Sequence, residues 1–308
     1  MKLQNIFALI VTLIGFAACT SESELPDTLV NGDLVPVTIS LGSMQTKASV
    51  GLDGDEGAIQ NAVIAIFDSK GIPTIAPIVL KGQNSGTTRL PLVKSNAYAF
   101  VNVSDEDIAA LEACGSEDAF KGYAIKKELT QEASDLPKFG KKVNFTPTDG
   151  GTFEIPVNQL TARVEAMVDI KVFQDGQEIS NSDLSVSKYS LLWKDMSFNS
   201  SSKTQTIGNN DEFTTTIDGK EYKTLNRAYT YSGVKPTIEL SGTIIGEKDG
   251  FDGMSSSFTY TFKEDVKADN VYIVRFIAKV DITDKVNPTL TYEVVNEAPI
   301  NVDIPSFE

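Results

Sequence analysis

Apolar and polar side chains alternate with a period of two along much of this chain. Val35, Val37, Ile39 and Leu41 are interleaved with Pro36, Thr38, Ser40 and Gly42, the pattern of a strand with one buried face. Ala62 to Phe67 is an apolar run closed by Asp68-Ser-Lys-Gly71, a strand and its turn. Ala97 to Val103 reads as a further strand. Ser104-Asp-Glu-Asp107 is an acidic N-cap sequence before Ile108, Ala109, Ala110 and Leu111, with Gly115 as the expected stop. A second short helix is expected around Phe120, Tyr123 and Ala124.

From Phe153 onward nearly every patterned segment is a strand. Phe153–Val157, Ala162–Phe173, Tyr189–Trp193, Tyr229–Tyr231, Thr237–Ile245, Ser257–Phe262 and Val271–Val280 are β-rich. Turns at Asp175-Gly176, Asp218-Gly219 and Asp249-Gly250 punctuate them. Trp193 follows Leu191 and Leu192 and reads as core. The expected fold is mainly β: two tandem β-sandwich domains, with one or two short helices in the first. A border near Gln159 divides them into 48–158 and 159–288. The remaining tail, 289–308, carries two stripes. Leu290, Tyr292 and Val294 alternate, Pro299 interrupts, and Ile300, Val302 and Ile304 alternate again. The stripes read either as strands to be given to another chain or as two edge strands of the second domain.

The N-terminal segment changes the compartment. Lys2 precedes an unbroken apolar run from Ile6 to Ala18, too short to span a bilayer and placed as a signal peptide over 1–18. Phe16-Ala-Ala-Cys19 resembles a lipobox, with Phe where Leu is usual. Cys19 is therefore the expected acylation site, carrying diacylglycerol and palmitate.

Composition removes several functions. The formal charge is −15, which argues against nucleic acid as a partner. The chain has no histidine, so no Ser-His-Asp or Cys-His nucleophile and no His-based metal site can be built. With Cys19 acylated, Cys114 has no partner for a disulfide and reads as a small buried apolar residue. Asp53-Gly-Asp55-Glu56-Gly57 has the wrong glycine position for a calcium loop and reads as a solvated loop. No enzyme, cofactor or metal is expected.

Several of these points, in this order, resemble the fimbrillins, the type V pilins of Bacteroidales. They are the lipobox at Cys19, the basic residue in Thr46-Lys47-Ala48, the Ile66 to Gly71 unit, Tyr98-Ala-Phe-Val-Asn102-Val, Leu160-Thr-Ala-Arg163-Val, and Asn270-Val-Tyr272. The resemblance implies transthyretin-like, Greek-key sandwiches and a lipoprotein precursor in the outer membrane that ends in a cell-surface fimbrium. It also implies a surface trypsin-like protease cutting between Lys47 and Ala48, which would make 19–47 a lipidated propeptide with the first strand. The strand carrying Val35, Val37, Ile39 and Leu41 would then be lost, and a neighbour's tail (Leu290, Tyr292, Val294, Ile300, Val302, Ile304) would take its place. Other pilin subunits and a host or bacterial adhesion receptor are the implied partners. The alternative is a basal pilus anchor or a non-polymerising surface lipoprotein that binds host glycan or protein.

Overall fold

A computed structural model describes residues 33–43, 55–180, 184–198, 204–209, 213–217, 220–224, 226–246, 254–284 and 289–300. The first sheet contains β1 (Leu34–Ser43), β2 (Asn61–Asp68), β3 (Ile78–Lys81), β4 (Ser85–Pro91), β5 (Ser95–Val101), β6 (Lys138–Phe145) and β7 (Gly151–Gln159). Their order is β3-β2-β5-β6-β7-β1-β4. The end strands β3 and β4 are separated in sequence only by Gly82, Gln83 and Asn84. In a flat sheet they would lie roughly 29 Å apart, at about 4.8 Å per strand. Such a link reaches about 14 Å at most, so the sheet must curl onto itself. Gly86 marks the closure: a Cβ there would sit 2.9 Å from Leu80 Cδ2. Inside the curl, Val37, Ile39 and Leu41 share one core with Ile64, Ile66 and Ile155.

The run from Ala62 to Phe67 does not alternate because β2 is covered on both faces. Its second face, with Val63, Ala65 and Phe67, packs under Ile108, Leu111 and Phe120. These come from α1 (Asp105–Glu112) and α2 (Glu117–Lys121). Ser104 caps α1: its hydroxyl accepts from the Asp107 N–H and the Asp107 carboxylate accepts from the Ser104 N–H. The helix ends earlier than expected, with Ala113 rather than Gly115 as its C-cap. The second helix is also narrower, since Gly122 caps it and leaves Tyr123 and Ala124 outside. The cause is Asp107, fully buried, which draws the following chain down onto itself. It accepts from the Tyr123 hydroxyl at 2.9 Å and from the Lys126 and Lys127 N–H groups at 2.8 and 3.1 Å. Burial pushes its carboxyl up, but these bonds and those from Ser104 outweigh it and hold the group below its ordinary value. Cys114 is half-buried rather than buried, with Sγ 3.4 Å from Ala110 O.

The second half begins with β8 (Thr161–Gln174), β9 (Gln177–Ile179), β10 (Leu184–Ser197), β11 (Thr204–Asn209), β12 (Phe213–Ile217) and β13 (Lys220–Thr224). It continues with β14 (Asn226–Tyr231), β15 (Thr237–Gly246), β16 (Met254–Thr261), β17 (Val271–Asp281) and β18 (Thr289–Ile300). One sheet runs β14-β8-β17-β18 with β9 added to β8, a second runs β11-β10-β15-β16, and β12 pairs with β13. The two four-stranded faces form a sandwich: Val164, Val274 and Phe276 on one side meet Leu191, Trp193 and Leu240 on the other. Trp193 is fully buried. Asp175 and Gly176 both take positive φ, 51° and 74°, the two-residue hairpin turn expected there; the other two expected turns lie outside the described residues. The fold is thus mainly β and built from sandwiches. Leu160 alone separates the last strand of the first sheet from the first strand of the second.

The tail departs from expectation at Pro299. β18 does not stop there but continues to Ile300, pairing Pro299 with Tyr272. It is an edge strand, where an imino nitrogen can face the side that has no partner.

Candidate functional site

The first strand is held on both sides. β1 pairs antiparallel with β4, from Leu34↔Pro91 to Ser40↔Ser85. It pairs parallel with β7, from Val37↔Gly151 to Ser43↔Val157. Val35, Val37, Ile39 and Leu41 are 9, 2, 1 and 3 % exposed. Because β4 ends the sheet order, β1 is its partner in the sheet. Removing β1 would open the edge of β7, unpair β4 and uncover an apolar slot.

Cys19, Lys47, Ala48, Val302 and Ile304 lie outside the described residues. Leu290, Tyr292, Val294 and Ile300 all fall in β18, which pairs antiparallel with β17 from Thr289↔Asp281 to Ile300↔Val271. Val294 packs against the sandwich core, and Leu290 against a smaller cluster of Val172, Val280 and Ile282. The first stripe is therefore an edge strand of its own sheet in this structure.

The chain enters the junction between the two halves just after residue 54. Glu56, read from sequence as part of a solvated loop, is 4 % exposed. Arg163 Nη1 donates to both of its oxygens at 2.9 Å, and the Tyr229 hydroxyl donates to Oε1 at 2.8 Å. Beyond Arg163 the charges continue to alternate: Arg163 Nε lies 3.1 Å from Glu165 Oε1, and Arg227 Nε 2.9 Å from the same oxygen. Pairing is what makes the burial of these four charges tolerable. Burial, then the Glu56 charge, pushes the Tyr229 hydroxyl far above its ordinary pKa.

The residues after Glu56 are fixed as firmly. Asn102, fully buried with φ +54°, accepts from the Gln60 N–H at 2.8 Å and donates to Ala58 O and Leu136 O, both at 3.0 Å. Lys138 Nζ donates to the same two carbonyls at 2.9 and 3.0 Å. Burial pulls the Lys138 ammonium down to about 8, against the Glu56 charge that favours it. A second clasp crosses the junction at Gln131, whose Nε2 donates to Tyr229 O at 2.8 Å while its Oε1 accepts from the Tyr229 N–H at 2.7 Å. This gives the outer edge of β14 the partner a strand would supply.

No family model matches this chain, and no curated protein does. Among solved structures, a candidate cell adhesion protein from Bacteroides eggerthii superposes with a TM-score of 0.55 at 14% identity, over 88% of this chain and 97% of that one. The chain has its fold. A candidate cell adhesion protein from Parabacteroides distasonis matches with a TM-score of 0.53 at 13% identity, over 88% and 98% of the two chains. A second protein from that organism, also a candidate in cell adhesion, gives 0.50 at 8%, over 87% and 100%. With nearly the full length of each covered, the shared fold is the paired arrangement of both halves rather than one sandwich.

Proposed function

We propose that this chain is a structural subunit of a cell-surface fimbria contributing to adhesion, assembled by exchange of β1 for a strand of a neighbouring copy. The observation that carries the reading is the seating of β1. Its four inward side chains fill one slot, and its only covalent tie to the body is the chain after Ser43, where Lys47 and Ala48 lie. One cut there would leave the strand held by packing and hydrogen bonds alone.

Four such side chains bury roughly 6–12 kcal/mol of transfer free energy, at about 1.5–3 each. A vacated slot with unpaired strand edges would be refilled by another alternating apolar strand. The tail over 289–308 offers that pattern twice, in Leu290, Tyr292 and Val294 and again in Ile300, Val302 and Ile304. A subunit that gives one strand and receives another makes a head-to-tail contact and hence an open filament. On this reading the precursor is anchored in the outer membrane through Cys19, a surface trypsin-like protease releases it, and the chain does no catalysis.

A second reading follows from the same geometry. With β1 in its own sheet the chain is complete without a neighbour, as a basal anchor or a non-polymerising surface lipoprotein would be. Intact-mass and N-terminal analysis of the surface form separates the two. Polymers whose subunits begin at Ala48 are expected. An acylated Cys19 in a monomer that keeps residues 34–43 would overturn the fimbrial reading.

A further inference from the structure

Two stretches of the chain carry the same pattern. Val35-Pro-Val-Thr-Ile-Ser-Leu41 lies in β1, and Ala298-Pro-Ile-Asn-Val-Asp-Ile304 starts in β18. An apolar residue and a proline open each, and three aliphatic side chains then alternate with two polar ones. Aligned, Val35, Pro36, Val37, Ile39 and Leu41 match Ala298, Pro299, Ile300, Val302 and Ile304, and Asn301 and Asp303 stand for Thr38 and Ser40.

The proline restricts the alignment, because a strand tolerates one only where its nitrogen needs no ladder partner. Pro36 stands at such a place in the slot. Its carbonyl accepts from the Gly150 N–H at 2.9 Å, so its backbone faces the β7 side. The β7 ladder starts one residue later, at Val37↔Gly151. Depth agrees with the match. Val37, Ile39 and Leu41 are 3 % exposed or less, and Val35 is 9 %. Ile300, Val302 and Ile304 then take the three deepest positions and the smaller Ala298 the shallowest. Across the deep three the replacement adds a methylene, removes another and turns a Leu into an Ile, so total volume is kept.

We propose that a second copy of this chain fills the β1 slot with Ala298 to Ile304, in the register of Val35 to Leu41 and in the direction of β1. The inference rests on strand exchange and deepens it by naming the donor segment, its direction and its register. The earlier stripe fits poorly: with Leu290 at the Val37 position, Tyr292 falls at Ile39, the deepest point of the slot. The proline does not choose the direction, since Pro299 and Pro305 flank the stripe on both sides. Position 35 does, because a reversed tail puts Ser306 there in place of Ala298. The forward direction also keeps the antiparallel ladder to β4 and the parallel one to β7. Pro305 then falls at Gly42, where a Cβ would meet Glu154 Oε1 at 2.0 Å; Glu154 is exposed and its side chain can swing aside. In this structure Ala298, Pro299 and Ile300 pair with Ile273, Tyr272 and Val271, so filling the slot unzips the end of β18.

The test is disulfide trapping in polymers of the full chain processed to begin at Ala48. All variants carry Cys114→Ser, which removes the one native thiol left once Cys19 is cut away. Thr38 pairs with Thr87, and directly opposed residues of two strands are close enough for a disulfide. Asn301→Cys with Thr87→Cys is therefore expected to give ladders that survive detergent and collapse to monomer on reduction. Asp303→Cys with Thr87→Cys reports a reversed tail, and Thr291→Cys with Thr87→Cys the earlier stripe; both are expected to run as monomer. Either of these linking in place of the first pair overturns the proposal. Should the first variant not polymerise, Asp303→Cys with Ser85→Cys decides in its place, since Ser40 pairs with Ser85. Polymers in which neither expected pair links overturn the register and leave strand exchange standing. A processed parent chain that forms no polymer overturns strand exchange, and the register with it.

Discussion

Glu56 and Arg163 stand 107 residues apart in the chain, and one guanidinium nitrogen, Arg163 Nη1, donates to both oxygens of the carboxylate at 2.9 Å. The pair joins the stretch leading into β2 to the start of β8, so it ties one half of the molecule to the other. In a head-to-tail filament, tension passes from the slot in the first half to the tail of the second, and this junction lies between them.

Glu56→Ala removes the acceptor and leaves Arg163 and the Tyr229 hydroxyl buried. Breaking a buried pair costs about 3–5 kcal/mol, and the value expected here is the lower end because Glu165 stays beside Arg163. Chemical denaturation of the purified chain measures it; a loss under about 1 kcal/mol would show that the pair behaves as an exposed one.

Ile39→Ala empties part of the β1 slot. In the uncut chain it should cost roughly 2–5 kcal/mol. In a processed subunit that begins at Ala48 the residue is gone and the substitution can have no effect. Thermal unfolding of both forms checks the contrast.

The tail calls for a finer cut than its whole length. Removing 289–308 also removes β18, bares β17 and takes Val294 from the core, so loss of polymer would be confounded with loss of fold. Val302→Asp combined with Ile304→Asp leaves β18 in place. Polymer ladders should vanish while the monomer's melting temperature stays within a degree or two, roughly the scatter of surface substitutions. Ladders that persist would move the donor role elsewhere.

Asn102→Ala strips three hydrogen bonds of 3.0 Å or shorter, together with a longer one of 3.4 Å to Ser134 O, from a buried site and leaves a non-glycine residue at φ +54°. At about 1 kcal/mol per bond and 1–2 for the left-handed backbone, a loss of roughly 4 kcal/mol is expected by denaturation. Asn102→Gly should recover only the backbone part.

Asp269 gives a pH signature. Its carboxyl titrates near about 6 in the folded chain, above the 3.8 of an unperturbed aspartate. The folded state therefore binds the proton more tightly, and this group's contribution to stability falls as pH rises from about 4 to about 6 and stays low above. Asp269→Asn should remove that slope and raise the melting temperature at neutral pH. Parent and variant melting curves that run parallel across this range would contradict the assignment.

Local features were legible from composition and spacing alone. The alternation of Val35, Val37, Ile39 and Leu41, the Ser104 cap, the Asp175-Gly176 turn and the β-rich second half each depend on neighbours a few residues away, where periodicity and turn chemistry act. The tertiary structure decided what depends on distant partners. Glu56 sits among glycines and acids that signal solvent, and its burial is set by Arg163 and Tyr229. Asn158, Gln159 and Asp269 carry no pattern, because the cleft they share arises only where β7 meets the turn before β17. Pro299 looked like a stop, and only the edge position of β18 makes it tolerable. Sequence specifies the period of each element; which charges are desolvated, and which residues come to line one cleft, follows from how the halves close on one another.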